Sequence, residues 1–219
     1  MITTGDGSSS LLNVSLGETY HSRHGALRES MHVFIEAGLL QVPLEKECVA
    51  ILEIGFGTGL NAWLTRLAKF GDNRKIAYTT LETNPLERVL VSSLNYTRDS
   101  SEYDTLRFAE LHDAAWDIPV QLDDFFELYK VQKPLQEFVP HRTFDLIYFD
   151  AFGPPVQPEM WTAELFSKIF DVSNPGALFV TYCAKGQVRR DLQSAGWIVE
   201  RLSGPPGKRE MLRGRKPTL

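Results

Sequence analysis

The chain has 219 residues, 43% of them hydrophobic, and a formal net charge of −5 at pH 7. This length supports one well-buried core and is short for two, so we predict a single domain over residues 1–219. The acidic balance argues against a protein coated with phosphate-binding residues, and two cysteines are too few for a disulfide framework.

The chain lacks the sequence features of a membrane or secreted protein. No apolar run approaches the roughly 18 residues of a membrane span, and the start has no basic region followed by an apolar core. We therefore expect a cytoplasmic protein with no membrane partner. Cys48 and Cys183 stand in no metal-ligand spacing, so we expect two buried thiols and no metal site.

The start of the chain is polar and rich in glycine and serine, so residues 1–20 are expected to be flexible or peripheral. Residues 21–45 form a predicted helical segment that packs on the main body. Its apolar residues recur at helical spacing: Leu27, Met31, Phe34, Ile35 and Leu39.

The core, residues 46–219, alternates predicted strands and helices. Short apolar runs predict strands at 49–54, 76–82, 126–131, 144–150 and 177–184. Helices are predicted from the glycine-rich turn to about Phe70, after Pro85, at 163–172 and at 186–196, and NPGA (174–177) reads as a turn. The rest of 100–140 looks irregular.

The last two apolar runs, 197–202 and 209–214, are joined by SGPPGK, a stretch rich in turn-forming residues. They should pair antiparallel at the end of the sheet. The predicted fold is α/β and Rossmann-like, with a mostly parallel seven-stranded sheet and an antiparallel C-terminal hairpin. Such a sheet binds its ligand at the carboxyl ends of the strands.

The stretch ILEIGFGTGLNAWL (51–64) places Gly55, Gly57 and Gly59 where a strand turns into a helix. Glycine lets the chain turn sharply and lets a ligand approach the backbone. Exposed amides at the start of the next helix can then bind a polar or anionic group. Glu82 ends the second strand, where a carboxylate can accept hydrogen bonds from ribose hydroxyls.

The glycine spacing also bears on which nucleoside cofactor is bound. It is G-x-G-x-G preceded by Glu53 and followed by Asn61, whereas dinucleotide sites carry G-x-G-x-x-G. This difference and the reversed final hairpin favour S-adenosylmethionine over a nicotinamide dinucleotide. We assign cofactor binding to Glu53, Gly55, Gly57, Gly59, Asn61 and Glu82.

Several longer blocks resemble the methyltransferase half of the bacterial MnmC family of tRNA-modification enzymes, in a stand-alone form without the flavin oxidoreductase half. The blocks are HSRHGALRESMHVFIEAGL, LEIGFGTGLNA, YFDAFGPPVQPEMWT, NPGALFVTYCAKGQVRRDLQSAGW and GPPGKREML. The resemblance implies methyl transfer from S-adenosylmethionine to the primary amine of 5-aminomethyl-2-thiouridine at the tRNA wobble position. A separate oxidoreductase is a candidate partner that would supply this nucleoside, and the sequence leaves open whether one does.

The resemblance places Asp150, at the end of the fourth strand, beside the transferred methyl group. An acid at this position also suits the chemistry of the reaction. An alkylammonium with a pKa of ~10.4 must lose a proton before its nitrogen can attack the methyl group. A carboxylate can attract the ammonium, orient the amine, and accept or relay the proton. The sequence leaves open whether Asp150 is the base or a positioning group.

Candidate substrate-binding residues follow Asp150 and continue to the C-terminal segment. Phe152 and Trp161 are candidates to wall the pocket or stack on a flipped base, although Trp161 also suits a core position. From Lys185 to residue 219 there are nine basic and three acidic residues. The candidates there for tRNA phosphates are Lys185, Arg189, Arg190, Lys208 and Arg209.

Two further features have weaker assignments. His21, His24 and His32 recur near the start without a metal pattern. We expect surface histidines, with contact of one of them to the cofactor or substrate as the alternative. After the third strand, where relatives carry an acid that meets the adenine amine, this chain has Gln132, so we assign no adenine contact.

Other readings of the same residues keep the fold and change the function. A methyltransferase or aminopropyltransferase of a small amine, such as a polyamine, would explain the acidic charge and Asp150 without a basic surface. A non-catalytic S-adenosylmethionine-binding module is a second alternative. A nicotinamide oxidoreductase is disfavoured by the glycine spacing.

Overall fold

A computed structural model describes residues 1–68 and 74–218 of the chain. Its N-terminal part contains short elements only: β1 (Ile2–Thr3), β2 (Ser9–Ser10), β3 (Leu12–Asn13), β4 (Glu18–Thr19) and α1 (Ala26–Ser30), then a π-helical turn at Met31–Glu36 and a 3₁₀ turn at Leu39–Gln41. These last three form the helical segment predicted for 21–45, with Phe34, Ile35 and Leu39 fully buried.

The first half of the core supplies four strands and three helices. They are β5 (Cys48–Ile54), α2 (Leu60–Leu67), β6 (Lys75–Leu81), α3 (Arg88–Val91), α4 (Glu102–Asp113), β7 (Pro119–Asp123) and β8 (Phe126–Val131). The expected end of the first core helix at Phe70 lies outside the described residues.

The second half of the core supplies four strands and two helices. They are β9 (Phe144–Phe149), a 3₁₀ turn at Pro158–Met160, α5 (Ala163–Asp171), β10 (Ser173–Thr181), α6 (Gly186–Ser194), β11 (Ile198–Ser203) and β12 (Glu210–Arg215). All the predicted strands and helices of this half are present.

The core strands form one sheet in the order β11-β12-β10-β9-β5-β6-β8-β7. The five strands from β10 to β8 run parallel, and β12 inserts antiparallel between β10 and β11. The α/β fold with an antiparallel C-terminal hairpin is therefore confirmed. Because β12 opposes β10, the hairpin loop between β11 and β12 lies at the carboxyl ends of the parallel strands.

Both faces of the sheet are covered, as the continuous apolar strands predict. Val49 and Ile51 of β5 pack against the N-terminal helical segment, α2 and α4. Ala50 and Leu52, on the opposite face, pack against α5 and α6. Both faces of the central strands are thus buried beneath helices, and a ligand can reach these strands only at their ends. Among the helices of the described ranges, none has the length and apolar character to cross a bilayer.

The sheet has eight strands, one more than predicted. The additional strand is β7, which pairs antiparallel with β8 at the sheet edge. The region 100–140, expected to be largely irregular, also contains the helix α4, which begins where the Ser101 side chain accepts a hydrogen bond from the Asp104 amide. Only a narrow stripe of α4 is apolar, because it lies on the surface.

Two smaller expectations also differ from the structure. Cys48, expected to be buried, is exposed where β5 begins, while Cys183 is buried. The NPGA stretch belongs to β10, whose pairing with β9 shifts register between Ser173 and Leu178, so it is an irregularity within a strand and no turn. The helix predicted after Pro85 is present as the short α3, Arg88–Val91.

The first twenty residues, expected to be flexible or peripheral, form hydrogen-bonded ladders β1-β2 and β3-β4. Ser8, Ser9 and Ser10 are buried, and the Ser9 amide donates to Asn95 Oδ1 at 2.6 Å. A short polar segment with few apolar residues can be ordered in this way when its serines find partners on the main body.

Candidate active site

A cavity of about 320 Å³ lies at the carboxyl ends of the central strands β5, β6 and β9. This size suits a small-molecule site, and the place is the one that open α/β sheets use for ligands. Residues that directly follow these strands line it, and the N-terminal segment and the C-terminal hairpin loop close it from two sides. The predicted residues that line it are Gly55, Gly57, Asn61, Glu82, Asp150, Phe152 and Lys208.

The glycine-rich turn has backbone conformations that favour glycine, with φ of 93° at Gly55, 50° at Gly57 and 73° at Gly59. A Cβ at Gly55 would lie 2.9 Å from the Asp150 carbonyl oxygen, and one at Gly57 would lie 3.0 Å from a ring carbon of Tyr20. Side chains here would fill the floor of the cavity or push its cover away. Gly59 precedes α2 and does not line the cavity.

Glu82 stands at the end of β6 with its carboxylate held by two backbone amides. The Gly57 amide donates to Oε2 at 3.0 Å, and the Asn84 amide donates to Oε1 at 2.9 Å. These bonds fix the carboxylate beside the glycine turn. It lines the cavity, with acceptor capacity for further hydroxyl donors.

Asp150 follows β9 and faces the same cavity. Asn61, on the first turn of α2, donates from Nδ2 to Asp150 Oδ2 at 2.8 Å. Burial raises the pKa of Asp150 well above its usual value, the nearby carboxylates of Glu29 and Glu53 add to the rise, and the bond from Asn61 opposes it. The carboxyl group therefore holds a proton more tightly than an ordinary aspartate does.

Glu53, predicted to bind the cofactor, lies inside β5 beneath the cavity and is fully buried. Thr80 Oγ1 donates to its Oε2 at 2.7 Å. Desolvation raises its pKa to about 8, so the group is protonated at neutral pH. Glu53 does not line the cavity, whereas Asn61 does.

The two predicted aromatic residues have different places. Phe152 lines the cavity and packs edge-on against Tyr20, with 5.1 Å between ring centroids. Trp161 is buried among Phe149 and Phe166, and its Nε1 donates to the Phe152 carbonyl oxygen at 2.8 Å. Trp161 is thus a core residue that holds the loop carrying Phe152.

The basic candidates separate into one residue inside the cavity and four outside it. Lys208 enters the cavity, where its Nζ lies 2.6 Å from Glu29 Oε1. Lys185 and Arg190 are exposed at and near the start of α6, which begins at the same edge of the sheet, and Arg209 is exposed on the hairpin loop. Arg189 is half-buried on α6.

Sequence reasoning missed several residues that line the cavity, among them Tyr20, Glu29, Lys133 and Tyr182. Tyr182 stands in the block TYCAKG and Glu29 in HGALRES, so the motifs that carried the resemblance contained both. No adenine contact was assigned after the third strand; the stretch Lys133–Leu135 lines the cavity there, and Gln132 does not.

The histidine expectation was wrong for one residue. His21 is buried and lines the cavity, where its Nε2 lies 2.7 Å from Thr58 Oγ1. Desolvation lowers its pKa to about 4, so the ring is neutral at physiological pH. His24 is exposed, and His32 is half-buried with its Nε2 2.7 Å from the Ser203 carbonyl oxygen.

The residues present fit S-adenosylmethionine. A Cβ-free turn allows close approach at Gly55 and Gly57, and Glu82 offers a fixed carboxylate to ribose hydroxyls. Asn61 lines the cavity, and within the described part of the chain its buried Oδ1 has no hydrogen-bond partner. Such an acceptor suits a ligand donor. The described residues contain no cluster of metal-ligating side chains.

Comparisons with known proteins agree with this geometry. Residues 118–217 match a family model described as S-adenosyl-L-methionine-dependent methyltransferase. The chain is 30% identical, over 91% of its length in each case, to the tRNA 5-methylaminomethyl-2-thiouridine biosynthesis bifunctional proteins MnmC of Methylobacillus flagellatus and Aeromonas hydrophila. It spans about a third of the length of these relatives, 32% and 33%.

Among solved structures, the fold is similar to that of MnmC2 from Aquifex aeolicus, with a TM-score of 0.82 and 23% identity. The match covers 99% of this chain and 71% of that one. The resemblance stated from the motifs and the Rossmann-like methyltransferase fold are thereby confirmed, and so is S-adenosylmethionine as the cofactor.

Proposed function

We propose that this chain, an MnmC-like S-adenosylmethionine-dependent methyltransferase domain, methylates the primary amine of 5-aminomethyl-2-thiouridine at the tRNA wobble position. The product is the methylaminomethyl nucleoside, in keeping with the names of the MnmC relatives, which are tRNA 5-methylaminomethyl-2-thiouridine biosynthesis proteins.

One observation carries the proposal: Asp150 and the glycine-rich turn open onto a single cavity. The carboxyl group of Asp150 is held by Asn61, a residue of the helix that the same turn begins. Helix α2 therefore connects Asp150, which would position the amine, to the glycine-rich turn, which would hold the cofactor. Methyl transfer needs the two reactants to be held in a fixed relative position in this way.

The bound cofactor supplies an electrophilic methyl group on a sulfonium. Gly55, Gly57 and Glu82 are the residues that would hold it, while Tyr20 covers the turn from the N-terminal side.

The substrate amine is protonated at neutral pH and cannot attack in that form. Removing its proton costs about 4 kcal/mol for a pKa near 10.4. Asp150 can attract the ammonium and take its proton. Because burial raises the pKa of Asp150 toward that of the amine, the proton transfer is less uphill than to an ordinary aspartate.

The tRNA itself would be held by the edge of the sheet around the cavity. Phe152 offers an aromatic face for a flipped base, as anticodon-loop bases are usually recognised. Lys185, Arg190 and Arg209 are exposed at this edge and are proposed to contact phosphates, with Arg189 beside them. Phosphate contacts of this kind make binding salt-dependent.

The decisive experiment is methylation of tRNA isolated from a strain that lacks the methyltransferase. The tRNA is incubated with the protein and S-adenosylmethionine, digested to nucleosides, and examined by mass spectrometry. We expect the wobble nucleoside to gain one methyl group. An unchanged nucleoside would refute the tRNA assignment.

A small amine is the second candidate substrate, and the acidic lining of the cavity favours it. Glu18, Glu29, Glu82 and Asp150 all line the cavity, whereas the basic candidates other than Lys208 lie outside it. The same incubation with a polyamine in place of tRNA separates the two, since a methylated polyamine would support this alternative. A parallel incubation with decarboxylated S-adenosylmethionine, which can donate an aminopropyl group, tests for an aminopropylated polyamine.

The proposed substrate also implies a place in the cell and an earlier reaction. We propose that the protein acts in the cytoplasm, where tRNA is modified. An oxidoreductase must supply the aminomethyl nucleoside, either in the same polypeptide or as a separate protein.

A further inference from the structure

The ammonium group of Lys208 lies between a carboxylate and an aromatic ring inside the cavity. Its Nζ is 2.6 Å from Glu29 Oε1 and 3.8 Å from the centroid of the Tyr182 ring. Lys208 comes from the hairpin loop and Glu29 from α1, so two distant parts of the chain meet there. The sequence assigned Lys208 to a phosphate, but its side chain points into the cavity.

A carboxylate and an aromatic face are the two groups that best bind a primary alkylammonium in a desolvated place. The Glu29 side chain is only 8% exposed, so its charge is poorly solvated without a cation. Its other oxygen, Oε2, accepts a hydrogen bond from the Ser22 amide at 2.8 Å, which fixes the carboxylate. The site is thus built to hold a cation at one point.

This cation site adjoins Asp150. The Tyr182 hydroxyl donates to the carbonyl oxygen of Ala151, the next residue after Asp150, at 2.9 Å. Glu29, Tyr182, Lys208 and Asp150 all line the one cavity. A cation bound at Glu29 and Tyr182 therefore shares the cavity with the Asp150 carboxyl group, and the Lys208 ammonium that is there now is near enough to lower the pKa of Asp150.

We propose that Glu29 and Tyr182 form the subsite for the ammonium group of the substrate, and that Lys208 occupies this subsite until the substrate displaces it. The inference rests on the proposed function, because it names where that function's amine binds. A lysine and an aminomethyl nucleoside present the same primary ammonium, so the same two groups suit both.

The backbone at Lys208 is held in place, whereas its side chain is partly exposed to solvent. The hairpin loop lies close to the N-terminal segment, since a Cβ added at Gly207 would overlap the His24 ring. The Lys208 side chain is 32% exposed, so rotation of the side chain alone can move its ammonium toward solvent.

The test measures binding without methyl transfer, in the presence of saturating S-adenosylhomocysteine. The probes are 5-aminomethyluridine and its neutral analogue 5-hydroxymethyluridine, followed by ligand-observed NMR titration. Glu29→Gln should weaken binding of the amine by about 10-fold through the lost charge, whereas Lys208→Met should tighten it severalfold by removing the competitor. Neither variant should change binding of the neutral analogue comparably.

Matched variants separate the subsite from general effects on folding or charge. Lys75→Met removes an exposed positive charge at the opposite end of β6 and should leave both probes unaffected. Tyr182→Phe keeps the aromatic face and should retain amine binding, whereas Tyr182→Leu should lose it. Thermal unfolding of each variant identifies any that fail to fold.

The opposite directions for Glu29 and Lys208 are the decisive feature. If Lys208→Met weakens amine binding or leaves it unchanged, the lysine is a structural clasp and the inference is overturned, even where tRNA methylation succeeds. Absence of any preference for the amine over the neutral analogue also overturns it. If the variants act oppositely while tRNA stays unmethylated, the subsite stands and only the tRNA substrate fails.

Discussion

The immediate surroundings of Asp150 and Gly57, two residues that line the cavity, set the pKa of the first and the space at the second. Asp150 is an ordinary acid whose pKa rises because burial disfavours its charge. Gly57 has a left-handed φ of 50° and lies under the Tyr20 ring. In the proposed reaction, Asp150 takes part in proton transfer, whereas Gly57 leaves room for the cofactor. Substitution of Asp150 should therefore lower turnover, and substitution of Gly57 should weaken cofactor binding.

Asp150→Asn keeps the size of the side chain and removes its capacity to take a proton. We expect turnover to fall by at least about 100-fold, the usual range for a lost acid-base group. Binding of S-adenosylhomocysteine, measured by calorimetry, should change little. Asp171→Asn, at the exposed end of α5, is the control and should leave both quantities unaltered. Full turnover of Asp150→Asn would show that Asp150 does not take the proton of the amine.

Gly57→Ala should weaken S-adenosylhomocysteine binding, because the added methyl group both strains the backbone and presses on Tyr20. The left-handed conformation alone costs roughly 1–2 kcal/mol for a non-glycine residue. Gly7→Ala is a matched control, since Gly7 has φ of 84° with no atom within 4 Å of the added Cβ. Equal loss of affinity in both variants would show that crowding at Tyr20 is unimportant.

At the scale of elements, one asparagine of the main body bonds two residues of the N-terminal segment. Asn95 Oδ1 accepts from the Ser9 amide at 2.6 Å, and Asn95 Nδ2 donates to the Gly7 carbonyl oxygen at 2.9 Å. The ladder that follows leads directly to Tyr20, which lines the cavity. The polar start of the chain therefore contributes to the site through its attachment as well as its residues.

Asn95→Ala should loosen this attachment while leaving the core folded. We expect amide hydrogen exchange over residues 7–10 to speed up by about 10-fold or more, from the loss of buried hydrogen bonds, and S-adenosylhomocysteine binding to weaken. Ser93→Ala is the control, because the exposed Ser93 hydroxyl bonds only within its own turn. Unchanged exchange in Asn95→Ala would mean that other contacts hold the segment.

The elements that sequence reasoning missed share a physical cause. Helix α4 buries only Arg107, Phe108 and Leu111, so its apolar periodicity is weak. Strand β7 begins at Pro119 and lies at the sheet edge, where proline is tolerated. Surface elements bury little area, so their hydrophobic patterns are faint, whereas the doubly covered strands β5 and β9 were evident from their continuous apolar runs.

At the scale of the whole molecule, the central sheet buries a carboxyl group, Glu53, whose pKa rises to about 8 from 4.5 because it is desolvated. The folded chain keeps this proton between those pH values, and the unfolded chain releases it. The folded state then binds more protons, so this group's contribution to stability is full below about pH 4.5 and is lost as pH rises through about 8.

Glu53→Gln should remove this pH dependence while keeping an oxygen for the Thr80 hydroxyl. We expect the variant to gain stability over the unmodified protein as pH rises from 5 to 8, measured by chemical unfolding at each pH. His21 and His112, whose pKa values are lowered to about 4, contribute equally to both proteins and cancel. Glu47→Gln, exposed before β5, should show no such gain. A constant difference across this range would show that Glu53 is already ionised at pH 5.

The sequence by itself determined the fold class, the glycine turn and the two cavity-facing acids at the ends of β6 and β9. Local chemistry sets these features, because glycine spacing dictates the turn and parallel strands bring their carboxyl ends to one edge.

Only the tertiary structure decided that Glu29 and Lys208, 179 positions apart, form a pair inside the cavity and that Trp161 lies in the core. Such contacts depend on how segments that are distant in sequence pack together. The residues adjacent in sequence therefore do not predict them.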